Sequence, residues 1–219
     1  LFDRAANMSL GGAWGTLSMG RMLSTGFHSI AAYELTGTAN YGLIGRQFGY
    51  TGGTRNNSEF RYTSPNFGGF TAALGYITST DNASPDAEIG LNVIYSGGPI
   101  AAGVGYTRLG APVGGDDRDW SLGGSYNFGA FKVAASYHDP AGVSKGYQAG
   151  VGTTMGPVSL VLDVVRETGT GIRHTDYLVE AKYSLSKRTT AYAVFTREGA
   201  TGAALPRGNN FGVGLRHNF

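Results

Sequence analysis

The chain has 219 residues, 37 of them glycine, with no cysteine and a formal net charge of +2. Disulfides and thiolate metal sites are therefore excluded, and the charge balance gives no basic footprint for nucleic acid. Charged residues make up only 15% of the chain, against roughly 25% in soluble domains, and no apolar run approaches the ~18 residues that a transmembrane helix needs.

The predicted elements are strands with period-two alternation from end to end. Residues 2–12 and 13–22 form the first pair, with Met8 and Leu10 on one parity. Residues 23–57 interrupt the pattern and are treated below. Strands resume at 58–65 and 70–78, then at 88–96, where Ile89, Leu91, Val93 and Tyr95 share a face. The next are 99–108, with Ile100, Ala102, Val104 and Tyr106, and 118–128, with Trp120, Leu122, Gly124, Tyr126 and Phe128. Strands 131–139, 146–155, 158–167, 175–185, 188–197 and 210–219 complete thirteen. The last reads GVGLRHNF, with Val213, Leu215, His217 and Phe219 on one parity to the end. No amphipathic helix of useful length with both caps emerges.

The second parity is mostly Gly, Ser, Ala and Asn with isolated charges, whereas the apolar parity repeatedly ends in an aromatic, as at Tyr76, Tyr95, Tyr126 and Tyr183. Lipid supplies no hydrogen-bond partners, so a sheet in a bilayer must close on itself. Apolar-out, polar-in strands with aromatic ends are what a transmembrane β-barrel requires. The connections also alternate, short at 96–98, 127–129, 155–157 and 184–187, and long and polar between. The fold class expected is thus all-β, a transmembrane antiparallel β-barrel. An odd strand count, no leader and a start inside a strand pattern read as a piece lacking its first strands.

Residues 23–57 are too long and too apolar for an ordinary exposed loop. Phe27, Ile30, Tyr33, Leu43, Phe48 and Tyr50 should pack somewhere, and in a wide barrel the available place is the lumen. By parity Arg61, Lys132, Lys182 and Arg216 point inward, as do Glu59, Asp163 and Glu180. Glu34 and Arg46 are the only formal charges between Arg21 and Arg55. Fixed charge in a narrow pore selects ions by sign.

Several stretches then resemble a known family. LFDRAANMSLGGAWGTLSMGR resembles the wall hairpin before the third loop of trimeric general porins of Gram-negative bacteria, and RNNSEFRYTSPNFGGFTAALGY the strand pair after it. SLSKRTTAYAVF resembles the penultimate hairpin and GVGLRHNF the closing strand. The β-proteobacterial porins, neisserial and comamonad, match best, over essentially the whole chain. A PEFGG-type motif of the enterobacterial branch is absent.

The resemblance implies a sixteen-stranded porin barrel of which about the last 13 strands are present. It implies one domain over 1–219 with 23–57 as constriction loop, and a homotrimer in contact with the lipid bilayer and lipopolysaccharide. It also implies passive passage of small hydrophilic solutes and ions with no cofactor. Terminal Phe219 would be the signal read by the outer-membrane assembly machinery. Arg4, Arg21, Arg55 and Arg61 look like the family's basic wall cluster. With Glu34, Arg46, Glu59, Lys132 and Arg216 they form the expected selectivity set, with a mild anion preference. The parity of Met8 and Leu10 sets Arg4 on the lipid side unless a bulge or the rim intervenes.

Other chemistry finds little support. His28, His138, His174 and His217 are scattered without zincin spacing and read as isolated surface or rim histidines. No serine sits in a G-x-S-x-G elbow. Asp116, Asp117 and Asp119 lack EF-hand spacing and read as a solvated external loop rather than a site for Ca²⁺ or bridged lipopolysaccharide; Asp81, Asp86 and Glu88 read likewise. The rivals are a substrate-specific channel, a soluble β-sandwich or adhesin module, and an outer-membrane enzyme. Each lacks its signature: stacked lumen aromatics, a charged outward face, or a clustered Ser/His/acid set.

Overall fold

The structure is a computed structural model that describes residues 3–79, 84–169, 173–199 and 208–218. Phe219 and Asp81 lie outside the described residues. Thirteen strands form one sheet in strict sequence order, each antiparallel to the next. They are β1 (Ala6–Gly12), β2 (Gly15–Leu23), β3 (Arg55–Thr63), β4 (Phe70–Ile77), β5 (Glu88–Gly97), β6 (Ile100–Val113) and β7 (Asp116–Asn127). Then follow β8 (Lys132–Asp139), β9 (Gly146–Met155), β10 (Val158–Glu167), β11 (His174–Ser184), β12 (Thr189–Glu198) and β13 (Gly208–His217). Among the described residues, β1 and β13 each pair on one side only.

The outward parity is the apolar one. Leu74, Leu91, Val93, Leu122, Leu162, Val179, Val213 and Leu215 are all exposed, an arrangement that water would penalise and a bilayer satisfies. Aromatics gather toward both ends. Trp120, Tyr137 and Tyr147 form one contiguous group and Tyr126, Phe128 and Phe131 another.

Two expectations change. The stretch 109–117, expected as a long loop, continues the ladder to the pair Val113–Asp116 after a register shift, so β6 and β7 project as a ribbon turned at Gly114–Gly115. In the 23–57 region, where no capped helix was expected, two short helices occur, α1 (Thr25–Ala31) and α2 (Leu43–Gln47). The Ser24 side chain caps α1 by accepting from Phe27 N at 2.9 Å. At seven and five residues these helices are too short to show a periodic stripe, and tertiary contact stabilises them.

That contact comes from the concave side of the sheet. α1 lies on β4–β7, and α2 lies on β10 and β11. The loop therefore packs on the inward, non-lipid parity of the sheet. The core is built from loop and inner wall together: Leu43 and Phe48 pack with Val161, Val165, Leu178 and Val194, and Ile30, Tyr33 and Ile44 form a second cluster with Tyr50. Each such side chain withdrawn from water contributes about 1.5–3 kcal/mol.

Candidate functional site

The site is the lumen face and the loop seated on it. Seating depends on missing side chains. A Cβ at Gly103 would lie 2.3 Å from Ser29 O, one at Gly123 would lie 2.4 Å from the Tyr33 ring, and one at Gly105 would lie 2.5 Å from Ser29 Oγ. Glycine at these inward positions of β6 and β7 clears a track for α1. Polar groups fix the rest of its course. Asn92 donates to Thr25 O at 2.7 Å, Thr51 and Ser121 share a hydrogen bond of 2.8 Å, and Asp119 accepts from Gly52 N at 2.9 Å. Asp119, expected in a solvated loop, thus anchors the return of the inward loop. Asp116 and Asp117 pair with Arg118 and Arg108 along the exposed ribbon.

A second anchor holds α2. Arg46 pairs with Glu198 at 2.8 Å, with both side chains buried. Gln47 donates to Glu167 at 2.9 Å and lies 3.0 Å from His174 Nε2, which itself faces Asp176 at 3.3 Å. Glu167 also accepts from the backbone N–H groups of Lys145 and Gly169, tying two neighbouring connections to the same point. The reading of every histidine as surface or rim is therefore corrected. His138 is buried and stacked on Phe48 at 5.0 Å, and the His174 side chain is buried in this anchor. Parity places His138 inward, but only the loop's path makes inward mean buried. Glu167, Asp176, Glu198, Gln47 and Asn92 escape sequence reasoning because their partners lie up to 152 residues away.

The expected selectivity residues separate into groups. Glu59 and Arg61 are buried together, 2.7 Å apart, and Arg61 also donates to Leu23 O. Glu34 accepts from the backbone of Thr36 and Thr38, so the loop's one carboxylate closes its own turn. Arg21 and Arg55 sit side by side at the end of β2 and the start of β3. Arg21 donates to Asp3 O and Asn57, and Arg55 to Arg4 O at 2.9 Å, so the Arg4 backbone joins this group while its exposed side chain precedes β1. Lys132 and Arg216 stand apart on β8 and β13. His28 projects into the lumen from α1. Partial desolvation and the nearby Arg61 charge hold its pKa below 6.5. Burial, helped by the Glu34 charge, pushes the Tyr50 hydroxyl up to about 12, so both groups are neutral at pH 7.

The electrostatic result is asymmetric. The inward carboxylates Glu59, Asp163, Glu167, Asp176 and Glu180 are each 0–1% exposed. Lys182, 25% exposed, is paired with Glu180 at 2.8 Å, and Arg21, on the outward parity of β2 with Leu17 and Met19, is 31% exposed and faces the exposed Asp3 carboxylate at 3.7 Å. Lys132 and Arg216, on the inward parity of β8 and β13, have no ion-pair partner among the described residues. Among the described residues no cluster of three or more potential ligands could hold a metal ion.

The sequence profile of the Gram-negative porin family matches residues 1–203. Outer membrane porin protein 32 of Delftia acidovorans is 34% identical over 148 residues, covering 61% of this chain and 42% of that protein. An outer membrane porin protein of Bordetella pertussis is 27% identical over 160 residues, 63% of this chain and 41% of that protein. The chain thus spans about two fifths of these relatives' length. Among solved structures, the anion-selective porin from Comamonas acidovorans superposes with a TM-score of 0.80 at 26% identity, covering 100% of this chain and 78% of that one. Salmonella typhi OmpF gives 0.79 at 15% identity over 99% of this chain and 78% of its own, a likeness of fold alone. With β-proteobacterial relatives, a lipid-facing sheet and an inward loop, this chain belongs to the Gram-negative porin family of the outer membrane.

Proposed function

We propose that this protein is a general diffusion channel for ions and small hydrophilic solutes, with a preference for anions. Solutes move down their own gradients, without cofactor or catalytic step. Residues 23–57 narrow the lumen, and the exposed cations bias what passes. The working form is a homotrimer embedded in lipid with lipopolysaccharide at its outer rim. Phe219 serves as the assembly signal.

The observation that supports this reading is the asymmetry on the inward face, where Glu59, Asp163, Glu167, Asp176 and Glu180 are buried while Lys132 and Arg216 have no ion-pair partner among the described residues. In a confined channel a fixed charge acts on ions with little competing screening. Arg46 and Arg61 contribute little, because Glu198 and Glu59 neutralise them at contact distance. Lys132 and Arg216 supply the net field. The test is liposome swelling with neutral sugars of rising mass, beside conductance in planar bilayers. Uptake that falls smoothly with size supports general diffusion, and saturable uptake of one sugar alone contradicts it.

A further inference from the structure

We propose that the lumen wall beneath the loop's turn holds a binding station for the oxyanion group, carboxylate or phosphate, of a small solute. The inference rests on the channel reading. The station lies at the end of the sheet where the turns are short. Lys132 follows the 128–131 turn, and Lys182 stands on β11 near the 185–188 turn. Between them is a hollow of about 410 Å³, roofed by Thr36 and floored by Gly152, Thr154 and Ser159.

The two lysines are not equivalent. Lys182 is fixed: its ammonium lies 2.8 Å from Glu180 Oε1 and donates to Thr36 O at 2.7 Å. That bond holds the roof to the wall and leaves little charge over. Lys132 is free. Its cross-strand partners are Asn127 and Gly152, neither of them charged. Among the described residues it makes no hydrogen bond or ion pair. Glu180 is the one acid lining the hollow, and it is 1% exposed and turned to Lys182. The hollow thus carries one uncompensated positive charge.

Its floor suits an oxyanion. Thr154 and Ser159 are cross-strand partners with their hydroxyls 3.0 Å apart, and one of the two protons can turn to a bound oxygen. Gly152, opposite Lys132 in the ladder, keeps the floor open. Three strand spacings separate the two lysines, about 14 Å along the wall, which is room for a small molecule. An ammonium with hydroxyl donors beside it binds carboxylate or phosphate by charge-assisted hydrogen bonds.

The experiment records single-channel chloride current from the intact protein in planar bilayers, titrating succinate or inorganic phosphate from the short-turn side. Both should reduce current at half-blocking concentrations that rise about three- to tenfold in Lys132→Ala. Lys132→Arg should restore block to within about twofold, and Lys187→Ala, an exposed lysine in a turn at the same end, should leave it unchanged. Loss of succinate block alone assigns the station to carboxylates, and loss of phosphate block alone to phosphates. Equal shifts in Lys132→Ala and Lys187→Ala, or no shift in either, overturn the station while the channel reading stands. A wild-type protein with no conductance step overturns the channel reading and the station with it.

Discussion

Replacing Gly103 by alanine tests whether the inward loop is seated as described. The added methyl would sit 2.3 Å from Ser29 O and 2.9 Å from Ser29 C, both backbone atoms that no rotamer change can move. Ordinary contact begins near 3.4 Å, so α1 must withdraw from β6 by about 1 Å. Overpacking of this kind costs roughly 1–3 kcal/mol, which raises the population of the unseated loop by about 5–150-fold. A displaced α1 can only move into the lumen. The variant should therefore show lower unitary conductance and more open-channel noise in single-channel recordings. Gly124→Ala is the control: it lies one residue from Gly123 but faces outward, with nearest atoms at 3.4 and 3.6 Å. It should match wild type. A Gly103→Ala channel that inserts normally and shows wild-type conductance and noise would refute the seating of α1 on a glycine track.

Three further outcomes follow from the charges. Lys132→Ala should lower the chloride-to-potassium permeability ratio about two- to fivefold, the effect of one charge at roughly 1 kcal/mol, whereas Arg46→Met, already neutralised by Glu198, should leave the ratio unchanged while loosening α2; reversal potentials separate the two. Glu59→Gln leaves Arg61 buried without its partner at 2.7 Å and should cost about 3–5 kcal/mol, read as a lower melting temperature of the folded channel. His28 has a folded pKa below 6.5, so the unfolded chain takes up the proton first, and the His28 contribution to stability is present above pH 6.5 and declines as pH falls. Below its lowered pKa the ring adds a lumen cation, and anion preference should rise on acidification more in wild type than in His28→Gln.

Much of the wall is legible because alternation is a local signal. The apolar parity of Leu91, Val93, Leu122 and Leu162 reads directly off the chain and is the exposed face. The inward parity is legible too, down to Glu59, Arg61 and Lys132. Illegible is the pairing inside the lumen. Arg46 with Glu198, Gln47 with Glu167 and Asp119 with Gly52 join elements far apart in sequence, and nothing in local spacing marks them. The same holds for the glycines. Gly103 and Gly123 look like ordinary strand glycines until α1 is laid across them. The extension of β6 and β7 through 109–117 is hidden for a different reason: its Gly, Pro and Asp content reads as loop, and the ladder there overrides composition.

The most direct measurement is the reversal potential of the purified protein in a planar bilayer under a KCl gradient. Buried carboxylates beside the unpaired inward Lys132 and Arg216 predict a potential of the sign set by chloride, moving toward zero in Lys132→Ala. A potential set by potassium would contradict it, since the acids would then reach the permeating ions more closely than the cations do.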